Sequence, residues 1–234
     1  MLIITGLGRC GTSLVAKWFQ MMGYNLGNGV AWHDSINAGL ELGSVYQLNI
    51  EMYDVFIARG KEIDLKQVCV RRYWKGKTFE EAINSVDKDE KQGGYVPVVK
   101  DPRFTWHPKL IEAWAKCRQD LKLLILHRDV HRIMNSRLAL AEESYDPKPG
   151  RMKDINMFKV DFCDFLTEVM LLDLPYELLL YPRFCLKPFR LFNAVTRLYE
   201  GQGPTQKDMQ LCWDRIFDPS KLRSEEIGYE KEES

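Results

Sequence analysis

The chain has 234 residues, a formal net charge of zero from 33 basic and 33 acidic side chains, and a composition that is 45% hydrophobic and 28% charged. These values are typical of a globular protein with room for a substantial core. The balanced charge argues against a nucleic-acid binder or a membrane-surface protein, because the basic excess of such proteins is usually visible. No apolar run approaches the roughly 20 residues that span a bilayer, and the first residues lack the pattern of a secretory leader. We therefore expect a cytoplasmic protein.

The cysteines are scattered along the chain, with no CxxC pair and no clustering with His. They are Cys10, Cys69, Cys117, Cys163, Cys185 and Cys212. Buried free thiols in a reducing compartment explain this distribution better than zinc or redox chemistry. The histidines His107, His127 and His131 are also scattered, so we expect no bound metal.

Short apolar runs alternate with helix-like segments. The runs predict strands at 2–5, 95–99, 121–126 and 175–181, and helices follow at 12–22, 108–117, 130–141 and 183–195. Such alternation predicts βαβ units and an α/β fold with a central parallel sheet. Open sheets of this kind bind ligands at the carboxyl ends of their strands, so we look for chemistry directly after each strand.

Three stretches depart from this alternation. Residues 24–90 are predicted to be mostly helical, with helices at 42–58 and 79–86. A polar loop at 142–150 lies between two predicted helices and is either a plain connection or a lid. The charged residues 222–234 are predicted to form a flexible tail.

The strongest signal is the glycine-rich segment 5–13 between the first predicted strand and the first predicted helix. Gly6, Gly8 and Gly11 let the backbone turn tightly, so that its N–H groups and the helix N-terminus can surround an anion. The spacing is that of a Walker A loop, GxxxxGK[ST], with Thr12 in the position of the Lys and Ser13 after it.

The missing lysine indicates which anion the loop can hold. The Walker lysine reaches the β- and γ-phosphates of a triphosphate, so this loop has lost that contact. It can still hold one 5′-phosphate through backbone N–H groups and the Thr12 and Ser13 hydroxyls. Arg9 is the basic residue of the loop, and it can stabilise the charge that develops on the bridging oxygen of a departing group.

Two other interpretations of the loop are open. It can be only a turn, or it can bind a dinucleotide, since the three glycines also satisfy GxGxxG. The dinucleotide interpretation is weaker, because no acidic residue follows at the end of a second strand about 20 residues after the loop.

A second anion site is predicted after strand 121–126. Arg128 leaves the strand end and Ser136 lies two turns along the next predicted helix, so a charged fork and a hydroxyl can face the same sheet edge. The alternative is a solvated, basic helix start. Two anion sites at two strand ends suit a nucleotide that is phosphorylated at both its 5′ and 3′ positions.

The segment Arg9-Cys10-Gly11-Thr12-Ser13 resembles the 5′-phosphosulfate loop of the sulfotransferases that use 3′-phosphoadenosine 5′-phosphosulfate (PAPS). That family also binds the 3′-phosphate with an Arg at a strand end and a Ser eight residues later, which is the separation of Arg128 and Ser136. The resemblance implies a single sulfotransferase domain over 1–234 of the bacterial-type branch. Its fold would be a three-layer α/β/α, P-loop NTPase-like fold, with PAPS as co-substrate and PAP as product.

Residues for the acceptor are suggested by Lys100-Asp101-Pro102-Arg103, which is similar to a segment of bacterial-type members. We expect Lys100 and Arg103 to contact the acceptor or the sulfuryl oxygens. The alternative is a turn in which Asp101 and Arg103 only order the loop.

Sulfuryl transfer needs a base for the acceptor proton. Glu41, followed by a helix that contains Leu48-Asn49, loosely matches the family's Gly-Tyr-Phe-Glu segment and is the first candidate. His33 is the second, because the imidazole titrates near neutral pH.

The sequence lacks the C-terminal Lys-Gly-x-x-Gly-x-Trp-Lys segment of cytosolic members, so the adenosine contacts are not assigned. The resemblance implies sulfuryl transfer to a hydroxyl or amine of a small-molecule or glycan acceptor. A nucleotide kinase with a degenerate loop and a non-catalytic PAP-binding module are the alternatives.

Overall fold

Strands and helices alternate in the computed structural model, which describes residues 1–27, 29–30, 41–59, 64–88, 95–135 and 155–221. The strands are β1 Leu2–Gly6, β2 Gly29–Val30, β3 Glu41–Leu42, β4 Val98–Lys100, β5 Lys122–His127 and β6 Tyr176–Leu180. The helices are α1 Thr12–Met21, α2 Gly43–Arg59, α3 Phe79–Ser85, α4 Pro108–Cys117, α5 with 130–135 described, α6 Ile155–Leu171, α7 Arg183–Leu186, α8 Phe189–Leu198 and α9 Gln206–Ile216.

The central sheet has four parallel strands in the order β4-β1-β5-β6. β1 is an inner strand, and all five of its residues are buried. Ile4 lies opposite Lys100 on one side and Leu124 on the other. The predicted α/β fold with a parallel sheet is therefore confirmed.

Side chains alternate between the two faces of the sheet, as the strand pleat requires. Leu2 and Ile4 pack in one hydrophobic cluster with residues of α1, α7, α8 and α9. Ile3 packs in the other cluster, with residues of α2, α3, α4, α5 and α6. Helices cover both faces, so the three layers are helix, sheet and helix.

The chain leaves the adjacent strands β1 and β5 toward opposite faces. After β1 it enters α1 on one face, and after β5 it enters α5 and α6 on the other. Such divergence opens a crevice at the carboxyl ends of the two strands, where ligands of open α/β sheets bind. The glycine-rich loop and Arg128 both lie at this edge.

Several elements differ from the predicted ones. β4 begins at Val98, after Pro97, which has no N–H to donate to a ladder. The predicted helix 183–195 is two helices, because Pro188 keeps Lys187 out of helical geometry. Region 24–90 contains the antiparallel pair β2 and β3 besides its helices, and α9 was not predicted.

The predicted lid or connection at 142–150 and the tail at 222–234 lie outside the described residues, and the single-domain assignment stays a prediction. None of the helices in the described ranges is long and apolar enough to cross a bilayer.

Candidate functional site

The loop between β1 and α1 has an unusual backbone. Gly8, Arg9 and Gly11 have φ angles of 78°, 57° and 86°, in the left-handed region that favours glycine. No described side chain caps α1 at Gly11, and an uncapped helix N-terminus favours an anion. The backbone geometry is that expected for a phosphate-binding loop.

Gly6 and Gly11 are required by close packing as well as by conformation. A Cβ on Gly6 would lie 2.1 Å from the Leu126 carbonyl oxygen and 2.6 Å from the Cys10 Sγ. A Cβ on Gly11 would lie 2.9 Å from Cδ2 of Tyr181 and 3.0 Å from Cζ of Phe184. Strand β5 therefore packs against Gly6, while Tyr181 and the α7 residue Phe184 pack against Gly11, and a side chain at either glycine would displace these neighbours.

The hydroxyls that were predicted to hold a phosphate are at the start of α1. Thr12 is 4% exposed and Ser13 is half-buried. Their place in the first turn puts both hydroxyls beside the N-terminus of α1, which suits an anion that accepts from backbone and side chains together. Their contact with a phosphate stays a prediction.

Cys10 is a packing residue of the loop. Its side chain is fully buried, and burial raises the pKa of its thiol to about 11. Hydrogen bonds with Gly8 and Thr12 and the charge of Lys100 oppose this rise without cancelling it. The thiol is thus protonated at neutral pH, which makes it a poor nucleophile.

Arg128 lies against the loop. Its Nη1 donates to the Arg9 carbonyl oxygen at 3.0 Å, and the side chain is 7% exposed. Its guanidinium carbon is 5.1 Å from the centroid of the Tyr181 ring. The structure therefore brings together Arg9 and Arg128, which come from the two predicted anion sites. Ser136 lies outside the described residues.

Asp101 organises the β4 side of the site. Its carboxylate is fully buried and accepts from the Asn49 amide at 2.9 Å and from the Arg103 guanidinium at 2.6 Å. Asn49 in turn accepts from Trp114 Nε1 at 2.9 Å. The main-chain oxygen of Asp101 accepts from the Thr5 hydroxyl at 2.9 Å. Helices α2 and α4 are thereby joined to the end of β1.

Arg103 is the ion-pair partner in the turn after β4. It is 8% exposed and its guanidinium carbon lies 3.8 Å from the Tyr46 ring centroid and 5.5 Å from that of Trp106. The Asp101–Arg103 pair of the alternative interpretation is present. Lys100 is 3% exposed. Contact of Lys100 and Arg103 with an acceptor stays a prediction.

The two candidate bases are described only in part or not at all. The backbone of Glu41 pairs with Val30 in the β2–β3 ladder, while its side chain and all of His33 lie outside the described residues. Both assignments stay predictions.

Two other histidines lie near the site elements. His107 caps α4 by accepting from the Lys109 N–H at 3.2 Å, and His127 stacks on Phe162 with centroids 4.7 Å apart. Burial lowers the pKa of both imidazoles. In the described ranges no group of three or more His, Cys, Asp and Glu side chains could hold a metal ion.

One residue of the site, Tyr181, was missed from the sequence. It is the last residue of a predicted strand, and its position at the sheet edge was a usable signal. Asn49 was noted only in the Leu48-Asn49 match, and its contacts with Asp101 and Trp114, 52 and 65 residues away in the chain, were not predicted.

Comparison with known proteins places this geometry in a fold class. No protein-family model matches the sequence, and no curated protein matches it significantly. The sulfotransferase domain of the Synechococcus PCC 7002 olefin synthase is similar with a TM-score of 0.54 and 10% identity, over 94% of this chain and 81% of that domain. This chain therefore has the fold of a sulfotransferase domain, as predicted.

Two further solved structures are similar. The sulfotransferase domain from the curacin biosynthetic pathway has a TM-score of 0.49 and 10% identity, over 89% of this chain and 76% of that chain. Sulfotransferase STF1 from Mycobacterium tuberculosis H37Rv has a TM-score of 0.45 and 11% identity, over 97% of this chain and 73% of that chain.

Gly11→Ala tests the packing of the loop, with Gly23→Ala as a matched control. Both glycines have a φ of 86°, but a Cβ on Gly23 would meet nothing within 4 Å. Backbone strain should lower the free energy of unfolding of both variants by about 1–2 kcal/mol. Gly11→Ala should lose at least about 1 kcal/mol more, because its Cβ clashes with Tyr181 and Phe184. Urea unfolding measures both. Equal losses would contradict the packing.

Thiol labelling tests the environment of Cys10. Cys69 and Cys163 are exposed, whereas Cys10, Cys185 and Cys212 are buried. With a pKa of about 11, on the order of one Cys10 thiol in a thousand is ionised at pH 8. Ellman's reagent should modify Cys69 and Cys163 within minutes and the buried three only after denaturation. Mass spectrometry that finds Cys10 among the first labelled sites would refute its burial.

Proposed function

We propose that the protein is a sulfotransferase that moves a sulfuryl group from PAPS to a hydroxyl or amine acceptor and releases PAP. The main observation behind this proposal is the β1–α1 loop. Its left-handed backbone is suited to an anion, but Thr12 occupies the position at which a triphosphate-binding loop has Lys. The sulfotransferase fold supports the same conclusion.

The donor binds through two separate phosphate contacts. Gly8, Cys10 and Gly11 offer backbone N–H groups to the 5′-phosphate, and Thr12 and Ser13 add hydroxyls. Arg128 holds the 3′-phosphate with Ser136. The 3.0 Å hydrogen bond from Arg128 Nη1 to the Arg9 carbonyl oxygen supports this proposal, because Arg128 lies next to the loop. A single 5′-phosphate has no polyphosphate for Mg²⁺ to bridge, so we expect no metal.

The chemical step is an in-line displacement at sulfur. The acceptor oxygen or nitrogen forms a bond to sulfur while the bond between sulfur and the bridging oxygen breaks, and that electron pair stays on the 5′-phosphate of PAP. Glu41 or His33 takes the acceptor proton. Arg9 stabilises the charge on the bridging oxygen, and Lys100 and Arg103 contact the acceptor or the sulfuryl oxygens.

Ligand-dependent stability tests the donor site. A ligand at 100 times its Kd adds about 2.7 kcal/mol of stability, which is a rise in Tm of about 5–10 °C for a chain of this size. PAP should raise the Tm more than AMP at equal concentration, and ATP–Mg²⁺ should raise it least. A larger shift with ATP–Mg²⁺ would favour a kinase.

Sulfuryl transfer itself is followed with ³⁵S-labelled PAPS and a panel of acceptors. PAP binding without turnover of any acceptor would indicate a non-catalytic module.

Replacement of Arg9 separates its catalytic role from donor binding. Arg9→Ala should lower kcat about 100-fold or more, which is typical for loss of one group that stabilises developing charge. The Kd for PAP should rise less than about threefold, because PAP carries no departing group. Arg9→Lys, which keeps the positive charge, should recover most of the rate. Parallel losses in kcat and PAP affinity would exclude the role assigned to Arg9.

A further inference from the structure

Tyr181 lies next to the glycine-rich loop and next to Arg128, which are the two proposed phosphate contacts. It follows β6, and its N–H donates to the His127 carbonyl oxygen at 2.7 Å. This bond extends the β5–β6 ladder by one residue and places Tyr181 beside Arg128. The side chain therefore starts at the carboxyl edge of the sheet, level with the candidate site.

The ring of Tyr181 contacts the end of the glycine-rich loop. Its Cδ2 would be 2.9 Å from a Cβ on Gly11, so the ring fills the space that this glycine leaves. Phe184, which is fully buried, packs edge-on against the ring with centroids 6.0 Å apart. The ring is thus held between α7 and the N-terminus of α1.

The same ring also contacts Arg128. The guanidinium carbon lies 5.1 Å from the ring centroid, within the range of a cation–π interaction. Because Arg128 is 7% exposed, water screens this attraction little. The guanidinium is held by the ring on one side and by the Arg9 carbonyl oxygen, at 3.0 Å, on another.

We propose that Tyr181 is a positioning residue: its ring holds the Arg128 guanidinium at the distance from the β1–α1 loop that a nucleotide with 5′- and 3′-phosphates requires. This inference rests on the proposed function, because the 3′-phosphate is the group that Arg128 would meet. The ring face supplies this attraction. Tyr181 contacts no reacting atom and acts through Arg128.

The experiment compares phenylalanine with pentafluorophenylalanine at position 181 of the full chain. The two side chains have nearly the same shape, but fluorination reverses the charge distribution of the ring face that attracts a cation. Calorimetric titration gives the Kd for PAP and for AMP, which lacks the 3′-phosphate. Tyr181→Phe is the reference for the comparison, because it keeps an unfluorinated ring face beside Arg128.

The pentafluoro variant should bind PAP about three- to tenfold more weakly than Tyr181→Phe, which is the range of a cation–π interaction, while AMP binding stays within twofold. In an Arg128→Ala background the two variants should bind PAP equally, because the contact is already lost. Phe189, which is 55% exposed at the start of α8, is the control for fluorination. Its replacement by pentafluorophenylalanine should change neither the Kd for PAP nor the Kd for AMP.

Equal PAP affinity of the two variants, or equal weakening of PAP and AMP, would show that the ring only packs the loop and would overturn the inference. Tyr181→Leu adds a second readout: it should lose more PAP affinity than AMP affinity. If it does not fold, the phenylalanine pair still decides. A wild-type protein that does not bind PAP would overturn the proposed function itself, and this outcome is separate from any difference between variants.

Discussion

The buried carboxylate of Asp101 is the contact on which the arrangement of the β4 side depends. A charge in the interior is costly unless it is paired and hydrogen-bonded, and here Arg103 and Asn49 supply both conditions. Loss of one partner from such a buried pair typically costs about 3–5 kcal/mol. Because Asp101 also bonds through its main chain to Ile4 and Thr5, the turn after β4 and the end of β1 form one unit. The loop begins one residue later, at Gly6, and Thr105 from the same turn bonds to the Gly6 carbonyl oxygen at 3.4 Å.

Much of the fold could be predicted from the sequence, because local signals define it. Each predicted strand of the central sheet is present, and the predicted helix 108–117 has the bounds of α4. Pro188 was a usable signal for the break between α7 and α8, and Thr205, whose side chain caps α9, was a usable signal for that helix. The two-residue strands β2 and β3 had none. A run of two residues is too short to show a strand periodicity.

Part of the candidate site could also be predicted from the sequence, and part could not. The loop was predictable because a tight anion-binding turn needs glycines at fixed spacing within one short segment. The contacts that join segments were not predictable. Arg128 and Arg9 are 119 residues apart, and their hydrogen bond depends on the order β1-β5 in the sheet. A thiol near a helix N-terminus can be reactive, but at Cys10 desolvation dominates and raises the pKa. Sequence patterns report residue type and spacing, whereas desolvation depends on the finished packing.

The place of β6 in the sheet has a consequence for motion. Among the described strands, β6 has a neighbour on one side only, and Leu178 and Leu180 are each 41% exposed. Outer strands of a sheet open with a smaller free-energy cost than inner ones. Tyr181 is attached to this outer strand, while the loop it contacts is attached to β1, which has neighbours on both sides. A fluctuation of the sheet margin therefore moves the Tyr181 ring, which contacts both Arg128 and Gly11, while these two residues stay attached to the inner strands β5 and β1.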